Sequence, residues 1–207
     1  MSTPSTPLLP KLPGVDVSSY QGSIDWVALA PHIRFAFIKA TDGTRIIDSQ
    51  LANNVKGATD HGVPFGLYHF SRNGNRTESD HFLEIFNKYP SQLPPVLDLE
   101  TYPAGTAGGL VIANALDFLQ AVSRYARPMV YTSPSFASTC LNAEFTKYPL
   151  WIAEYTLAPE PTTLAQWKSW DFWQWGTKGN MPGVLDAIDV DWCLDEPTLD
   201  SLMRSPT

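Results

Sequence analysis

Short runs of apolar residues recur along the chain and predict eight β-strands. Each run is four to six residues long, which is the usual length of a strand. The eight runs are Gly14–Ser18, Phe35–Ala40, Phe65–Phe70, Val96–Glu100, Met129–Thr132, Leu150–Tyr155, Phe172–Trp175 and Ala187–Asp191.

Apolar residues at helical spacing lie between several of these runs. They predict three longer helices, over Ser49–His61, Thr77–Tyr89 and Leu110–Tyr125. Thr77 is a candidate N-cap of the second helix, because Asp80 follows it at the spacing of a capping box. Shorter helical turns are expected after four further positions, namely Ser23, Ser133, Thr163 and Pro197.

The alternation of strands with helices predicts a mostly parallel sheet, and eight strands favour its closure. We therefore expect an α/β fold, a single modified TIM-like β/α barrel. Because 207 residues fall short of the roughly 250 that eight full units take, some helices should be missing. An open doubly wound sheet is the alternative, but no Gly-rich phosphate loop follows the first strand.

The domain organisation follows from composition. Residues 1–13 are rich in Ser, Thr and Pro and are expected to form an extended or disordered lead-in, and residues 14–207 are expected to form the barrel domain. The two cysteines, Cys140 and Cys193, are too few for a disulfide scaffold. We expect both to be free and partly buried.

Charge and residue types exclude several function classes. The net charge of −7 disfavours nucleic-acid binding. The sequence contains no run of 18 apolar residues, so we expect no membrane span. The four histidines lack the His-Glu-x-x-His spacing of a zinc site, so we expect no metal and no cofactor.

Two carboxylates close the fourth predicted strand. Since alternate side chains of a strand share a face, Val96, Asp98 and Glu100 should point toward the barrel axis, and Leu97 and Leu99 toward the helices. Each acid should raise the pKa of the other, which suits a general acid beside a charged partner. The alternative is an exposed strand end with two solvated acids.

The first and last strands also carry acids, namely Asp16, Asp189 and Asp191. These strands are neighbours in a closed barrel, and the carboxyl ends of barrel strands converge on one mouth. The acids should therefore share a pocket with Asp98 and Glu100. The alternative for Asp16 is a cap or turn residue.

Polar and aromatic residues near the ends of other strands could line a sugar-binding groove. The chain holds seven Trp and eight Tyr, whose faces stack on sugar rings. Lys39 could instead form a structural salt bridge, and His69 is expected to be a buried, hydrogen-bonded histidine rather than a base. The candidates are Lys39, Tyr68, Tyr131, Trp151, Gln174 and Trp175.

Eight segments in order resemble glycoside hydrolase family 25, the Chalaropsis-type lysozymes or muramidases that include many phage endolysins. The resemblance runs from about Gly14 to Trp192. The segments are Gly14–Ser18 with Gln21-Gly22 and Asp25-Trp26; Phe37–Gly43; Gly66–Phe70; Leu97–Glu100; Val130–Thr132; Leu150–Ala153 with Tyr155; Trp173–Trp175; and Asp189–Asp191.

The resemblance implies cleavage of the β-1,4 bond between N-acetylmuramic acid and N-acetylglucosamine in bacterial peptidoglycan. It implies Glu100 as the general acid/base. Two positions depart from the family pattern: Asp191 stands where Asn is common, and Asp42 where Glu is frequent. Residues that match the other active-site acids are Asp16, Asp98 and Asp189, and those that match a sugar subsite are Tyr68 and Tyr131.

Two mechanisms and two other functions stay open. A retaining reaction assisted by the substrate's acetamido group is favoured over attack by a carboxylate. The other functions are a non-catalytic glycan-binding barrel and a chitinase-like hydrolase of another glycan. Residues 1–12 do not read as a secretory signal. We therefore expect a monomer that is made in the cytoplasm and reaches the wall by lysis, or that is secreted by another route.

Overall fold

Nine strands form among the described residues, and eight of them close into a barrel, as predicted. This computed structural model describes residues 10–72 and 75–203. The short β3 pairs only with β2 and lies outside the closed ring. The strands are β1 Leu12–Val17, β2 Phe35–Asp42, β3 Ile46–Ile47, β4 Phe65–Phe70, β5 Val96–Asp98, β6 Met129–Thr132, β7 Leu150–Ala153, β8 Phe172–Lys178 and β9 Ile188–Cys193.

The barrel closes because β1 pairs with β2 on one side and with β9 on the other. Seven strands run parallel, whereas β9 is antiparallel to both β1 and β8. The expectation that the last strand also ends at the mouth was wrong. Residues 179–187 join β8 to β9 without a helix, and a connection that lacks a crossover returns the chain antiparallel. The amino end of β9 therefore lies at the mouth.

The three longer predicted helices are present, and the barrel has fewer helices than strands. No helix forms in residues 154–171, between β7 and β8. This is one of the places where a helix is missing, as the chain length predicted. The α-helices are α1 Trp26–Leu29, α2 Leu51–Asp60, α3 Arg76–Phe86, α4 Gly108–Val122, α5 Pro134–Cys140 and α6 Glu196–Leu202, with 3₁₀ turns at Ser19–Gln21, Ala30–His32 and Ala143–Lys147.

Two local helix predictions were wrong. The cap of α3 is Asn75 rather than Thr77, because the Asn75 side chain accepts the backbone N–H of Glu78 at 3.2 Å and the helix begins before Thr77. The turn after Thr163 does not form a helix. The indole of Trp167, which donates to the carbonyl of Tyr148 at 3.0 Å, fixes that segment in an irregular path.

Side chains alternate between the inside of the barrel and the layer under the helices, because successive residues of a strand point to opposite sides. Inside, Phe37 stacks on Trp151 with ring centroids 4.3 Å apart and meets the edge of Phe172 at 5.0 Å. Outside, Leu97 and Leu99 are buried against the helical layer, as predicted. The inner cluster forms a packed floor under the mouth.

The amino-terminal boundary lies earlier than expected, since β1 begins at Leu12. Gly14 in this strand allows a close approach, because a Cβ there would lie 2.3 Å from the Phe35 ring. Residues 1–9 of the expected lead-in lie outside the described residues. Cys140 and Cys193 are both free and buried. No helix within the described ranges is long and apolar enough to cross a membrane.

Candidate active site

A cleft of about 360 Å³ opens at the mouth of the barrel, where the seven parallel strands end and β9 begins. Nine of the eleven residues that the sequence predicts for the site line this cleft. They are Asp16, Lys39, Tyr68, Asp98, Glu100, Tyr131, Trp151, Gln174 and Asp189.

The chain carries Asp98 and Glu100 to the same cleft, although β5 ends at Asp98. The extended path continues for one residue more. The backbone N–H of Leu99 donates to the carbonyl of Tyr131 at 2.9 Å, and the Thr132 hydroxyl donates to the Leu99 carbonyl at 2.8 Å. Glu100 therefore keeps the alternation of the strand and lines the cleft with an exposed side chain.

Both carboxyl groups hold protons more tightly than they would in water. Burial and the neighbouring Glu100 raise the pKa of Asp98 well above its ordinary value. Burial also raises the pKa of Glu100, although Lys39 and Arg72 oppose that shift. No described residue donates a hydrogen bond to Oδ1 of Asp98, although that atom is buried. The site thus contains an accessible acid beside a buried carboxyl that has a free acceptor.

A chain of hydrogen bonds fixes the carboxyl of Asp16. The Tyr131 hydroxyl donates to Oε1 of Gln174 at 2.9 Å, and Nε2 of Gln174 donates to Oδ2 of Asp16 at 2.7 Å. Burial and the nearby Asp189 raise the pKa of Asp16 to about 7. Asp16 therefore binds a proton more tightly than an exposed aspartate does.

Asp189 reaches the cleft from the opposite chain direction, at the amino end of β9. Its Oδ1 accepts the Thr177 hydroxyl at 2.7 Å and the Tyr155 hydroxyl at 3.0 Å. These two hydrogen bonds fix the orientation of the Asp189 carboxyl group. The reversed strand explains why Asp189, and not Asp191, stands at the mouth.

Asp191 lies below the cleft and does not line it, in contrast to the prediction. It follows Asp189 by two residues in β9 and so lies deeper in the barrel. It is 1% exposed, and its side chain accepts the indole N–H of Trp151 at 2.8 Å. Trp175 does not line the cleft either. Because Gln174 points inward, the next residue points outward, and Trp175 stacks on Trp192 with ring centroids 5.8 Å apart.

A charged cluster forms one wall of the cleft. Asp42 accepts two hydrogen bonds from the guanidinium of Arg72, at 2.7 and 3.0 Å, and pairs with Nζ of Lys39 at 3.3 Å. Although burial acts to raise it, these two cations lower the pKa of Asp42. The sequence left two roles open for Lys39, a structural salt bridge and a place in the groove lining. Lys39 has both, since it pairs with Asp42 and lines the cleft.

Sequence reasoning missed several residues of the rim. Phe70 could have been found, because it shares the inward face of β4 with Tyr68. Tyr20, which is 84% exposed, and Arg72 follow strands in turns, where side-chain periodicity gives no signal. Ser18 caps the turn that carries Tyr20, since its hydroxyl accepts the Tyr20 backbone N–H at 3.2 Å.

His69 does not line the cleft, and it is a buried, hydrogen-bonded histidine, as expected. It is fully buried under α3, with Nδ1 2.7 Å from the Thr41 hydroxyl and Nε2 3.1 Å from a Glu78 carboxyl oxygen. Burial lowers its pKa. It is a hydrogen-bonded histidine of the outer layer.

Comparisons with known proteins agree with this geometry. The model of glycosyl hydrolases family 25 matches residues 15–184. The chain is 32% identical over 193 residues to Lysozyme M1 of Streptomyces globisporus, covering 85% of this chain but 65% of that protein. It is 32% identical over 183 residues to the N,O-diacetylmuramidase of Chalaropsis sp, covering 78% and 86% of the two chains.

The solved structures show the same architecture. The bacterial lysozyme from Streptomyces coelicolor superposes with a TM-score of 0.82 at 27% identity, covering 93% of this chain and 97% of that one. The likeness thus extends over nearly all of both folds. The protein belongs to glycosyl hydrolases family 25.

Proposed function

We propose that the protein is a lysozyme that hydrolyses the β-1,4 bond between N-acetylmuramic acid and N-acetylglucosamine in peptidoglycan. The observation that carries the proposal is the meeting of acids from β1, β5 and β9 in one sugar-sized cleft. Membership of the family and the lysozyme and muramidase names of the relatives support it.

Glu100 is the general acid/base of the proposed reaction. It lines the cleft with an accessible side chain, and its raised pKa favours the protonated form that must give a proton to the leaving glycosidic oxygen. A positive charge then develops at the anomeric carbon. Asp189, whose carboxyl group two hydroxyls hold in one orientation, lies in the wall of the cleft and stabilises that charge.

Asp98 orients the substrate's acetamido group, whose oxygen attacks the anomeric carbon with overall retention. The unoccupied acceptor on Oδ1 of Asp98 supports this role, because a buried carboxyl oxygen without a protein donor can receive the amide N–H of the sugar. Direct attack by a carboxylate is the alternative. Asp98 is the less suited to it, since burial and Glu100 both favour its neutral form.

Aromatic and polar side chains bind the sugar rings around these acids. Tyr68 and Tyr131 offer rings and hydroxyls, Trp151 offers its ring, and Gln174 and Lys39 offer polar contacts. Their positions in the cleft lining support this assignment.

Digestion of purified peptidoglycan, followed by borohydride reduction and mass spectrometry, tests the function. The proposal expects reduced muramic acid at the new ends. Reduced glucosamine would indicate a glucosaminidase, and cleavage of chitin alone a chitinase-like enzyme. Binding without any new reducing end would indicate a glycan-binding barrel. Heat-denatured protein is the control.

The site of action and the oligomeric state belong to the same proposal. We propose a monomer that acts at the bacterial wall after lysis or export by another route. The names of relatives, which include an autolytic lysozyme and an endolysin, support action at the wall. The sedimentation coefficient of the protein alone tests whether it is a monomer, and its co-sedimentation with wall fragments tests whether it binds the wall.

A further inference from the structure

Asp191 is a buried carboxyl group with too few hydrogen-bond donors for a charge. It lies opposite Gly14 of β1 and Gln174 of β8 in the sheet, directly under the mouth. The Trp151 indole donates to its Oδ1 at 2.8 Å, but no described residue donates to its buried Oδ2. An ionised carboxylate in such a place would keep an unsatisfied charged oxygen away from water, which is costly.

The neighbour of Asp191 is another carboxyl group. Asp16 and Asp191 lie within hydrogen-bonding reach of each other, and such a contact requires that one of them hold a proton. The other ionisable groups that act on Asp191 are Asp189 of its own strand and Tyr131 of β6, and neither is a cation. Trp151 contributes a neutral donor. Two negative charges on this pair would repel each other, and no cation is found among the described groups that act on Asp191.

The two partners differ in how well they accommodate the charge. Asp16 lines the cleft, and Gln174 donates to its Oδ2 at 2.7 Å. Asp191 is deeper, with 1% exposed area against 7% for Asp16. The charge therefore resides on Asp16 and the proton on Asp191.

We propose that Asp191 is a positioning residue that stays protonated in the active protein and donates a hydrogen bond to the Asp16 carboxylate. Its O–H does what the N–H of an asparagine would do at the same place. Gln174 and Asp191 then hold Asp16 from two sides in one orientation. The link to turnover rests on the proposed function, whereas the protonation of Asp191 does not.

The effect on stability has a definite sign. Burial and Asp16 raise the pKa of Asp191 above its ordinary value, so the folded chain binds this proton more tightly than the unfolded chain. Stability therefore falls as the pH rises from the ordinary aspartate pKa toward the raised one. Asp191→Asn supplies a permanent donor and removes that dependence.

Thermal unfolding of Asp191→Asn and of the parent protein, between about pH 4 and pH 8, tests the protonation. The unfolding midpoint of the variant should rise relative to the parent as the pH increases. The matched control is Asp117→Asn, at an exposed position of α4, whose midpoint should follow the parent at each pH. Parallel curves for Asp191→Asn, or failure of this isosteric variant to fold, would overturn the proposal.

Two further readouts separate positioning from a purely structural role. At neutral pH, the infrared difference spectrum between the parent and Asp191→Asn should contain a protonated carboxyl band, since Asp98 and Glu100 contribute equally to both proteins. The alkaline fall of kcat/KM has two expected sources, the deprotonation of Glu100 and that of Asp191, and the variant should show only the part that follows Glu100, because its donor cannot be deprotonated. An absent band, or an unchanged alkaline limb in an active protein, would contradict the role. If no variant or parent shows activity, the proposed function fails while the stability result stands.

Discussion

The floor and the mouth of this barrel lie on the same strands, only two residues apart. Phe37, Val96 and Phe172 face the floor. The next inward positions on their strands, Lys39, Asp98 and Gln174, face the mouth. One step of side-chain alternation thus separates an apolar core from a site built of charged and polar groups.

The two regions contribute to stability in opposite ways. The floor buries apolar surface, which stabilises the fold by roughly 25 cal/mol for each Å² removed from water. The mouth and the layer directly under it bury the carboxyl groups of Asp16, Asp98 and Asp191, and their raised pKa values indicate that the charged forms are disfavoured there. Floor substitutions should therefore change the free energy of unfolding most, and mouth substitutions the turnover.

Phe37→Ala should have the largest effect on folding. It removes the stack on Trp151 and the edge contact with Phe172, and such truncations cost about 3–5 kcal/mol. Urea unfolding measures the loss. Phe70→Ala is the matched control at the mouth, where the ring is partly exposed, and it should cost clearly less. Equal losses would remove the distinction between floor and mouth.

Asp98→Asn should lower turnover by at least about 10²-fold, because an amide keeps a carbonyl acceptor but cannot become negatively charged to stabilise the acetamido nitrogen as it turns positive. Stability should move the other way. Since burial raises the pKa of Asp98, the parent loses stability as the pH rises above the ordinary aspartate value, and the variant does not. Kinetics and urea unfolding at acid and neutral pH check both. Turnover within a few fold of the parent would speak against the assignment.

Asp42→Asn should have the smallest effect. It breaks the ion pair with Arg72, which is more than half exposed, at a cost of about 1 kcal/mol or less at neutral pH, and it also removes the charge that pairs with Lys39. Because the pKa of Asp42 is lowered, its contribution is present above the ordinary aspartate value and lost as the pH falls.

The same substitution sharpens the account of Glu100. Lys39 and Arg72, no longer neutralised by Asp42, should lower the pKa of Glu100. The alkaline limb of kcat/KM should then move to lower pH, by less than about one unit. An alkaline limb that moves upward would show that the cations do not act on Glu100.

Side-chain alternation carried most of what the sequence could predict. It placed Asp98 and Glu100 on the cleft side and Leu97 and Leu99 under the helices, because a strand has a fixed period of two. The same rule would have excluded Trp175, since its neighbour Gln174 already points inward. That error came from reading polar and aromatic residue types rather than the period.

Strand direction and loop positions could not be predicted in this way. The apolar pattern of β9 is the same in either direction, so the sequence placed both Asp189 and Asp191 at the mouth, whereas in the reversed strand Asp189 lies there and Asp191 lies below it. Tyr20 and Arg72 reach the rim from turns whose path depends on capping and pairing contacts. Neither contact has a periodic signal.

Turnover of peptidoglycan by Glu100→Gln tests the central claim most directly, that the mouth acids act as a catalytic unit. Glu84→Gln, at an exposed position of α3, is the matched control. With equal unfolding midpoints for all three proteins, Glu100→Gln should lose about 10²–10⁴-fold in the rate of new reducing ends, and Glu84→Gln should keep the parent rate. A rate for Glu100→Gln close to that of the parent would contradict the account.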